Sequence, residues 1–385
     1  MSNRIALVAD MLICPGGAEK VFSVMCEAFP EADLFTSVYL PNDTLPDFGR
    51  YEIKNLVDRR LFRSVEALKR WYPLAAWQMG RMRFDDYEVV LSSAAHLARY
   101  INKGSATHIS YCYYPFRLLF EPDRYPQVRG VRRLLMRAAL PALRWWDVRK
   151  AQEVDRFVAI SELSRKAIRL YYGRDAEVIH SPVLNVPEAF QEYTKEDFFL
   201  VVSRLERWKK LDVVIDAFRL VDAPLVIVGD GPDRVALERR AGANIRFVGA
   251  IPDYELVEYY KRARALIHPA RTEYGLTPIE GNAYGTPAIC WGVDGVCETL
   301  LPYSQDPANA TALFYDDPTP ESLASAIREF GQLTFDQRRC YESATRFSRK
   351  RFIERIRALV ERIAAGDPGH GMMSGSAIES SIHRG

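Results

Sequence analysis

One segment, residues 265–291, constrains the fold more than any other part of the chain. It begins with a short apolar run at 265–268 and ends with a second one at 288–291, and both runs are typical of buried strands. Between them lie the glycine, threonine and proline residues that begin and end a helix. A strand, a loop, a helix and a second strand in this order predict a βαβ unit in a parallel sheet.

The helix inside this segment has its own start and stop signals. We expect Thr277 at its N-cap and Pro278 at its first position, and we expect Gly285 to end it. Free N–H groups and the helix dipole favour an anion at such an N-terminus. Glu280, expected in the first turn, can accept hydrogen bonds from two sugar hydroxyls. Together these features predict a site for a ribose and a phosphate. Taken alone, Gly275 fits an ordinary loop glycine equally well, and Glu280 fits an acid that only stabilises the first turn of the helix.

Length and composition allow two domains with separate cores. The chain has 385 residues, of which 48% are hydrophobic and 26% charged, as in soluble globular proteins. No apolar run reaches transmembrane length, and six scattered cysteines without a C-x-x-C pair predict a reducing cytosol. Residues 1–187 carry a net charge of about +6 and the remainder about −4, so the first half favours an anionic partner.

The order of apolar runs and helical patterns predicts an α/β protein. Strands alternate with helices in both halves, and we place the first domain at 1–187 and the second at 198–345. A proline-bearing linker is expected at 184–197. We predict helical structure at 337–364, a C-terminal helix at 346–365 that packs back on the first domain, and a disordered tail from 366 onward.

Two further motifs follow predicted strands. Arg204 and Lys209 stand five residues apart on a loop, where a planar guanidinium and an ammonium can bind a diphosphate, although isolated cations are more often surface charges. Gly16 and Gly17 separate the first strand from the first helix, which allows the backbone to approach a ligand closely. The same pair also fits a plain tight turn, and it is not a dinucleotide-binding fingerprint.

Two stretches of the first half, 57–83 and 129–150, combine basic and aromatic residues. Such helices are typical of peripheral membrane contact, but they also fit a solvated face with buried tryptophans. Nucleic acid is not expected, because no binding module accompanies the charge. The residues that carry this pattern are Arg59, Arg60, Arg63, Lys69, Arg70, Trp71, Tyr72, Trp77, Arg81, Arg83, Arg129, Arg132, Arg133, Arg137, Arg144, Trp145, Trp146, Arg149 and Lys150.

The run 272–287 resembles the signature E-x-F-G-x-x-x-x-E of the retaining glycosyltransferases of family 4. Gly275 matches the glycine and Glu280 the second glutamate, which holds the donor ribose in that family. The family's first glutamate, which contacts the donor sugar, is replaced by Thr272, with Glu273 one place later. Its role here either passes to Glu273 or is partly lost. The resemblance also implies donor contacts from the loop amides at Leu276 and Thr277.

The resemblance extends over residues 4–364. Arg204 and Lys209 match the family's diphosphate-binding pair, and Gly16 with Gly17 matches an opening loop that faces the donor phosphate. Tyr113 stands where the family commonly has a histidine on the acceptor side; its hydroxyl can donate a hydrogen bond but is a poor base at neutral pH.

The family resemblance implies a GT-B fold, two Rossmann-like domains with a cleft between them. Its implied reaction moves a sugar from a nucleotide-diphosphate donor to an acceptor hydroxyl, with retention and without a metal or other cofactor. GDP-mannose and a lipid-linked saccharide acceptor are favoured, in the cytoplasm and at the inner face of the membrane. Alternatives are an epimerase or hydrolase of the same fold, or a non-catalytic nucleotide-sugar-binding partner. The sequence does not identify the sugar, the base, the linkage or the oligomeric state.

Overall fold

The computed structural model describes residues 4–56, 72–122 and 130–366. The chain divides into two compact units. The first unit consists of residues 1–180 and 352–385, and the second unit consists of residues 181–351. Each unit is built on its own parallel sheet, as the alternation of strands and helices predicts.

The first unit contains a seven-stranded sheet in the order β3-β2-β1-β4-β5-β6-β7. Neighbouring strands pair in parallel throughout; for example, Leu7 of β1 lies beside both Leu34 and Leu91. The central strands β1 and β4 are buried over their whole length, which explains the continuous apolar sequence of β1 and the apolar first half of β4. The strands are β1 Ile5–Ala9, β2 Asp33–Thr36, β3 Ile53–Asn55, β4 Val89–Ala94, β5 Thr107–Cys112, β6 Arg156–Ala159 and β7 Ala176–Val178.

Helices connect these strands. The N-cap of α5 is Ser161, whose hydroxyl accepts a hydrogen bond from the Ser164 amide, and the helix ends at Gly173 in the left-handed conformation, with φ of 64°. The described helices are α1 Gly17–Ala28, α2 Tyr72–Met79, α3 Arg117–Phe120, α4 Gly130–Gln152 and α5 Glu162–Tyr172, with 3-10 helices at Pro46–Arg50 and Ala98–Tyr100.

The second unit contains a six-stranded parallel sheet in the order β10-β9-β8-β11-β12-β13. This is the strand order of a dinucleotide-binding Rossmann fold. Its apolar core lies between the sheet and the surrounding helices and includes Phe199, Phe218 and Phe330. The strands are β8 Phe199–Val202, β9 Leu225–Val228, β10 Ile245–Gly249, β11 Ala265–His268, β12 Ala288–Trp291 and β13 Ala312–Tyr315.

The helices of the second unit follow the same alternation. They are α6 Leu211–Ala217, α7 Arg234–Arg240, α8 Asp253–Arg262, α9 Leu276–Ala283, α10 Val296–Thr299, α11 Pro320–Phe330 and α12 Gln337–Thr345, with a 3-10 helix at Arg207–Lys209. The stretch predicted as helical at 337–364 consists of α12 and the last described helix, α13 Arg349–Ala364, with residues 346–348 between them, so the C-terminal helix begins three residues later than the predicted 346.

Residues 184–197, predicted as a linker, lie within the second unit. Contacts just before the segment and within it attach it there. The Val183 amide donates to the Phe347 carbonyl at 2.8 Å. The buried Lys195 ammonium donates to the carbonyls of Lys261 and Tyr284, which are 2.9 and 3.0 Å away. Composition does not reveal this attachment, because the contacts join residues far apart in sequence.

The last helix, α13, belongs to the first unit from Phe352 onward. The Phe352 ring packs edge-on against Tyr111 of β5, at 5.7 Å between centroids. Arg357 donates from Nε to the carbonyl of Ala28 at the end of α1, at 2.6 Å. The first unit therefore consists of two separate stretches of the chain. Across the described residues, 4–56, 72–122 and 130–366, no helix combines the length and apolarity needed to cross a membrane.

Candidate functional site

Each sheet reverses its direction of winding at one place, which we call its switch point. In the second unit this place lies between β8 and β11, and in the first unit it lies between β1 and β4. Ligands of open parallel sheets bind outside the carboxyl ends of the strands at such points. The loops that follow these four strands therefore carry the candidate functional residues.

The loop after β8, residues 203–210, is called the cation loop. Its backbone is fixed by the turn after β9: the Ser203 amide donates to Val228 O at 3.0 Å and the Leu205 amide to Asp230 O at 2.9 Å. This contact requires glycine, because a Cβ at Gly229 would lie 1.9 Å from the Ser203 carbonyl oxygen. The backbone that carries Arg204 is thus positioned by its neighbouring strand.

Lys209 lies at the centre of the cation loop. Its half-buried ammonium is 4.0 Å from the centroid of the Trp208 ring. Burial lowers the pKa of Lys209 to about 8, and the nearby carboxylates of Glu273 and Glu206 only partly oppose this effect. Arg204 is close enough to lower the same pKa further. Arg204 and Glu273 therefore both act electrostatically on Lys209, in opposite directions.

Lys210, where the resembling family often has glycine, has a left-handed backbone with φ of 54°. A side chain other than glycine is strained in this conformation, which accounts for the family's preference.

The loop after β11, residues 269–275, is called the motif loop. Nε2 of the buried His268 lies 3.3 Å from the Thr272 hydroxyl, and burial lowers the pKa of His268 to about 3, so its imidazole is neutral. Thr272 is thus held by a neighbouring side chain, while Glu273 lies near Lys209. Gly295 packs against the motif loop, and its amide donates a hydrogen bond to Thr272 O at 2.9 Å. This contact requires glycine, because a Cβ at Gly295 would lie 2.3 Å from the Tyr274 amide nitrogen.

The helix after the motif loop, α9, begins at Leu276, with Gly275 at its N-cap. The prediction of Thr277 as N-cap and Pro278 as first helical residue is therefore wrong by two positions. Gly275 has φ of 85°, a left-handed conformation that glycine adopts without strain, and it starts the helix earlier than the threonine signal. Thr277 is the second residue of the helix.

Glu280 consequently lies in the second turn of α9, and its prediction as a first-turn acid is also wrong. Its Oε2 accepts a hydrogen bond from the hydroxyl of the buried Tyr260 on α8, at 2.8 Å. This bond fixes the direction of the carboxylate. Gly285 ends the helix with φ of 67°, as predicted.

The switch point of the first unit is organised by Asp10, which follows β1. Its carboxylate accepts hydrogen bonds from the amides of Ala95, His96 and Ala98 after β4, each at 2.6 Å. Gly16 is the N-cap of α1, and Glu19 folds back over it. Oε1 of Glu19 accepts a hydrogen bond from Cys14 Sγ at 3.3 Å, and Oε2 would lie 2.5 Å from a Cβ at Gly16. Burial raises the pKa of Glu19. The anion position at this helix N-terminus, predicted from Gly16 and Gly17, is therefore covered by the chain's own carboxylate.

Tyr113, after β5, contacts this glycine turn. Its hydroxyl donates to the Ala18 carbonyl at 3.1 Å and lies 2.9 Å from the Ser93 hydroxyl. Burial raises the pKa of Tyr113 well above its ordinary value, so the phenol stays protonated at neutral pH. His108 and Ser92 form a buried pair 2.8 Å apart.

The two basic stretches are described in part. Residues 57–71 and Arg129 lie outside the described residues, and so do the side chains of Tyr72, Arg132 and Arg133. In α4, Trp145 is 61% exposed, whereas Trp146 packs against Tyr100 at 4.5 Å between ring centroids. Leu134 on the same helix is 70% exposed and Trp77 on α2 is 56% exposed. Both interpretations of the pattern are thus represented, because Trp146 is partly buried against the core whereas Trp145 and Trp77 are exposed.

Sequence reasoning missed several residues that shape the second switch point. Glu206 pairs with Arg204, Trp208 covers Lys209, and His268 holds Thr272. Glu206 and Trp208 stand between the two predicted cations in the sequence, but their residue types alone did not indicate these contacts. Gly295 had no comparable signal, because its role depends on the approach of two distant loops.

Comparison with known proteins agrees with this architecture. Residues 185–347 match the sequence model of the family described as "Glycosyl transferases group 1", and this match lies within the second unit. The lipopolysaccharide outer core galactosyltransferase WaaB aligns over 94% of this chain and 99% of its own, with a TM-score of 0.63 and 15% identity. Anabaena Alr3699/HepE in complex with UDP-glucose aligns over 93% and 99%, with a TM-score of 0.65 and 14% identity.

Curated relatives share part of the sequence. The D-rhamnosyltransferase WbpZ of Pseudomonas aeruginosa is 31% identical over 154 residues, which are 35% of this chain and 40% of the relative. The GDP-mannose-dependent alpha-(1-6)-phosphatidylinositol dimannoside mannosyltransferase of Mycobacterium tuberculosis is 37% identical over 134 residues, 33% of each chain. The chain thus spans 40% or less of these relatives. The chain has the GT-B fold, and residues 185–347 of its second unit are similar to the glycosyl transferases of group 1.

Proposed function

We propose that the protein is a retaining glycosyltransferase that moves a sugar from a nucleotide-diphosphate donor to an acceptor hydroxyl without a metal. One observation carries the proposal: the two loops at the switch point of the second unit carry Arg204, Lys209 and Glu273, and both Arg204 and Glu273 act electrostatically on the half-buried Lys209, with α9 beginning three residues after Glu273. A diphosphate placed there meets two cations and a helix N-terminus. The group 1 domain in the same residues supports this assignment.

The residues take the following roles in the proposed reaction. The bond between the anomeric carbon and the diphosphate oxygen breaks, and the acceptor oxygen bonds to that carbon. The acceptor proton passes to the departing diphosphate, whose charge Arg204 and Lys209 stabilise. Glu273 faces the sugar in place of the family's first glutamate, and Glu280 holds the ribose. Because leaving-group stabilisation dominates, the protonated Tyr113 is not required as a base.

GDP-mannose is the proposed donor, and the GDP-mannose-dependent mannosyltransferase among the relatives supports it. A lipid-linked saccharide is the proposed acceptor. The exposed Trp145 and Leu134 on the basic helix α4 support contact with the cytoplasmic membrane surface, since such side chains enter the interface beside anionic headgroups.

The test is an incubation with a panel of radiolabelled nucleotide sugars, including GDP-mannose and UDP-glucose, with and without extracted membrane lipid as acceptor. Acceptor-dependent transfer of label into the lipid fraction supports the proposal. Release of free sugar, or conversion of the donor without an acceptor, identifies a hydrolase or epimerase. Donor binding without turnover under every condition identifies a non-catalytic binding partner.

A further inference from the structure

Glu206 lies between the two cations of the candidate diphosphate site and already contacts one of them. Its Oε1 is 2.6 Å from Nη2 of Arg204. Its Oε2 accepts a hydrogen bond from the Trp208 indole at 2.5 Å. The same carboxylate acts electrostatically on Lys209. One side chain thus interacts with every cation that the proposed function assigns to the donor.

The position of Glu206 is built into the loop. It is the N-cap residue of the 3-10 helix Arg207–Lys209, and its carbonyl accepts a hydrogen bond from the Lys209 amide at 2.8 Å. The adjacent Leu205 is fixed through its amide to Asp230 O at 2.9 Å. With the backbone fixed on both sides, the carboxylate is presented to Arg204 by the fold.

Two features make the contact between Glu206 and Arg204 replaceable. The Arg204 side chain is 74% exposed, so a ligand can reach its guanidinium. Glu206 is 24% exposed and keeps the Trp208 hydrogen bond through its other oxygen, so its carboxylate does not lose all partners when Arg204 turns away. An exposed ion pair of this kind contributes little free energy, and a doubly charged diphosphate competes with it readily.

We propose that Glu206 is an internal counter-ion that the diphosphate of the donor must displace from Arg204, so that this residue sets donor and product affinity. The proposal rests on the proposed function. When the nucleoside diphosphate leaves, the carboxylate returns to the guanidinium. Glu206 thereby weakens binding of the donor and assists release of the product.

The test compares the wild type with Glu206→Gln and Glu238→Gln by calorimetry with GDP and UDP at fixed ionic strength. Glutamine removes the charge and keeps an oxygen that can accept from Trp208. Glu238 is the matched control, because it is an exposed carboxylate of the same unit, paired with Arg234 at 2.8 Å, and its substitution changes the net charge equally. Guanosine and uridine serve as probes that lack the diphosphate.

We expect Glu206→Gln to bind GDP or UDP about twofold to fivefold more tightly than Glu238→Gln, as expected for loss of a competing exposed ion pair. Nucleoside affinity should be unchanged. In an Arg204→Ala background most of the gain should disappear, because the competing contact is already absent.

Equal affinities of the two glutamine variants overturn the inference, and so does weaker binding by Glu206→Gln, which would mean that Glu206 orients Arg204 for the ligand. Tighter binding of the nucleosides as well would place the effect at the base and also contradict it. If the wild type and all variants fail to bind GDP and UDP, the proposed function fails together with the inference.

Discussion

The two parallel sheets carry opposite charges in the loops that follow β1 and β8 at their switch points. In the first unit, the residue after the central strand is Asp10, whose carboxylate is held by three backbone amides. In the second unit, the corresponding loop carries Arg204 and Lys209. The first arrangement joins two loops of the chain to each other, whereas the second leaves a partly exposed pair of cations.

The helix N-termini beside the two switch points differ in the same way. Glu19, in the first turn of α1, places its carboxylate over Gly16, whereas α9 begins after Gly275 with no acidic residue in its first turn. A sheet and helix of this type can therefore use the local positive potential either for internal bonding or for a ligand. Of the two helix N-termini, only that of α9 is without an acidic residue in its first turn, and this favours the second unit for the proposed diphosphate contact over Gly16 and Gly17.

The largest expected effect is on turnover after removal of a cation. Lys209→Ala or Arg204→Ala should lower kcat/KM for transfer by about 100-fold or more, because each removes stabilisation of the leaving diphosphate. Arg207→Ala is the matched control, since Arg207 is an exposed cation of the same loop. All three variants should unfold at the wild-type temperature. An equal loss in Arg207→Ala would attribute the effect to the loop rather than to the two cations.

The second prediction concerns the anion of the first switch point. Asp10→Asn should lower the free energy of unfolding by about 2–3 kcal/mol, because a neutral amide offers one acceptor oxygen to three amides that now bond a carboxylate. Glu206→Gln, which also neutralises a carboxylate at a switch point, should leave stability nearly unchanged. Thermal unfolding of both variants measures the difference, and similar losses would remove the distinction between a structural and a replaceable carboxylate.

The third prediction compares glycines at the two sites. Gly295→Ala should lower the free energy of unfolding by about 1–3 kcal/mol, because its Cβ would meet the backbone of Tyr274. The same clash should displace Glu273 and weaken nucleotide binding. Gly16→Ala should cost less than about 1 kcal/mol, since its Cβ meets only the movable end of the Glu19 side chain.

Gly49→Ala is the control for these glycine variants, because nothing lies within 4 Å of its Cβ position. Chemical denaturation gives the free energies. If Gly16→Ala lowers the free energy of unfolding as much as Gly295→Ala does, the Glu19 side chain is fixed in place.

The smallest expected effect is a pH dependence of nucleotide affinity at the switch point of the second unit. The pKa of Lys209 is lowered by burial to about 8, so its ammonium is protonated below pH 8 and loses its charge as the pH rises through that value. The affinity for GDP or UDP should therefore be greatest below pH 8 and fall by up to about tenfold between pH 7 and 9. Calorimetry across this range measures the change. In Lys209→Arg the affinity should depend little on pH, because the guanidinium stays charged over this range. If the affinity of this variant still falls between pH 7 and 9, another group causes the fall.

Much of this architecture can be predicted from the sequence because strands and their order leave local signals. The buried strands of the second unit are continuous apolar runs, and the two motif-bearing loops follow β8 and β11 as predicted. The fold was therefore predictable, and so was the identity of the loops at the switch point, where parallel strands end together.

Other features depend on distances that no local pattern records. The start of α9 was misplaced because Gly275 adopts a left-handed conformation that replaces the expected threonine cap. The predicted linker joins the second unit through Val183 and Lys195, whose partners lie far along the chain. Glu206 was overlooked because a carboxylate between two cations is ordinary in sequence, and only the orientation of its side chain gives it significance.

The return of α13 to the first unit has a consequence for synthesis of the protein. The second unit is one uninterrupted stretch and has all of its residues once the ribosome has made residue 351. The first unit begins the chain but lacks the ring of Phe352 against Tyr111 and the arginine that bonds the end of α1 until the last helix emerges. The half that is translated first is therefore the half that completes its folding last.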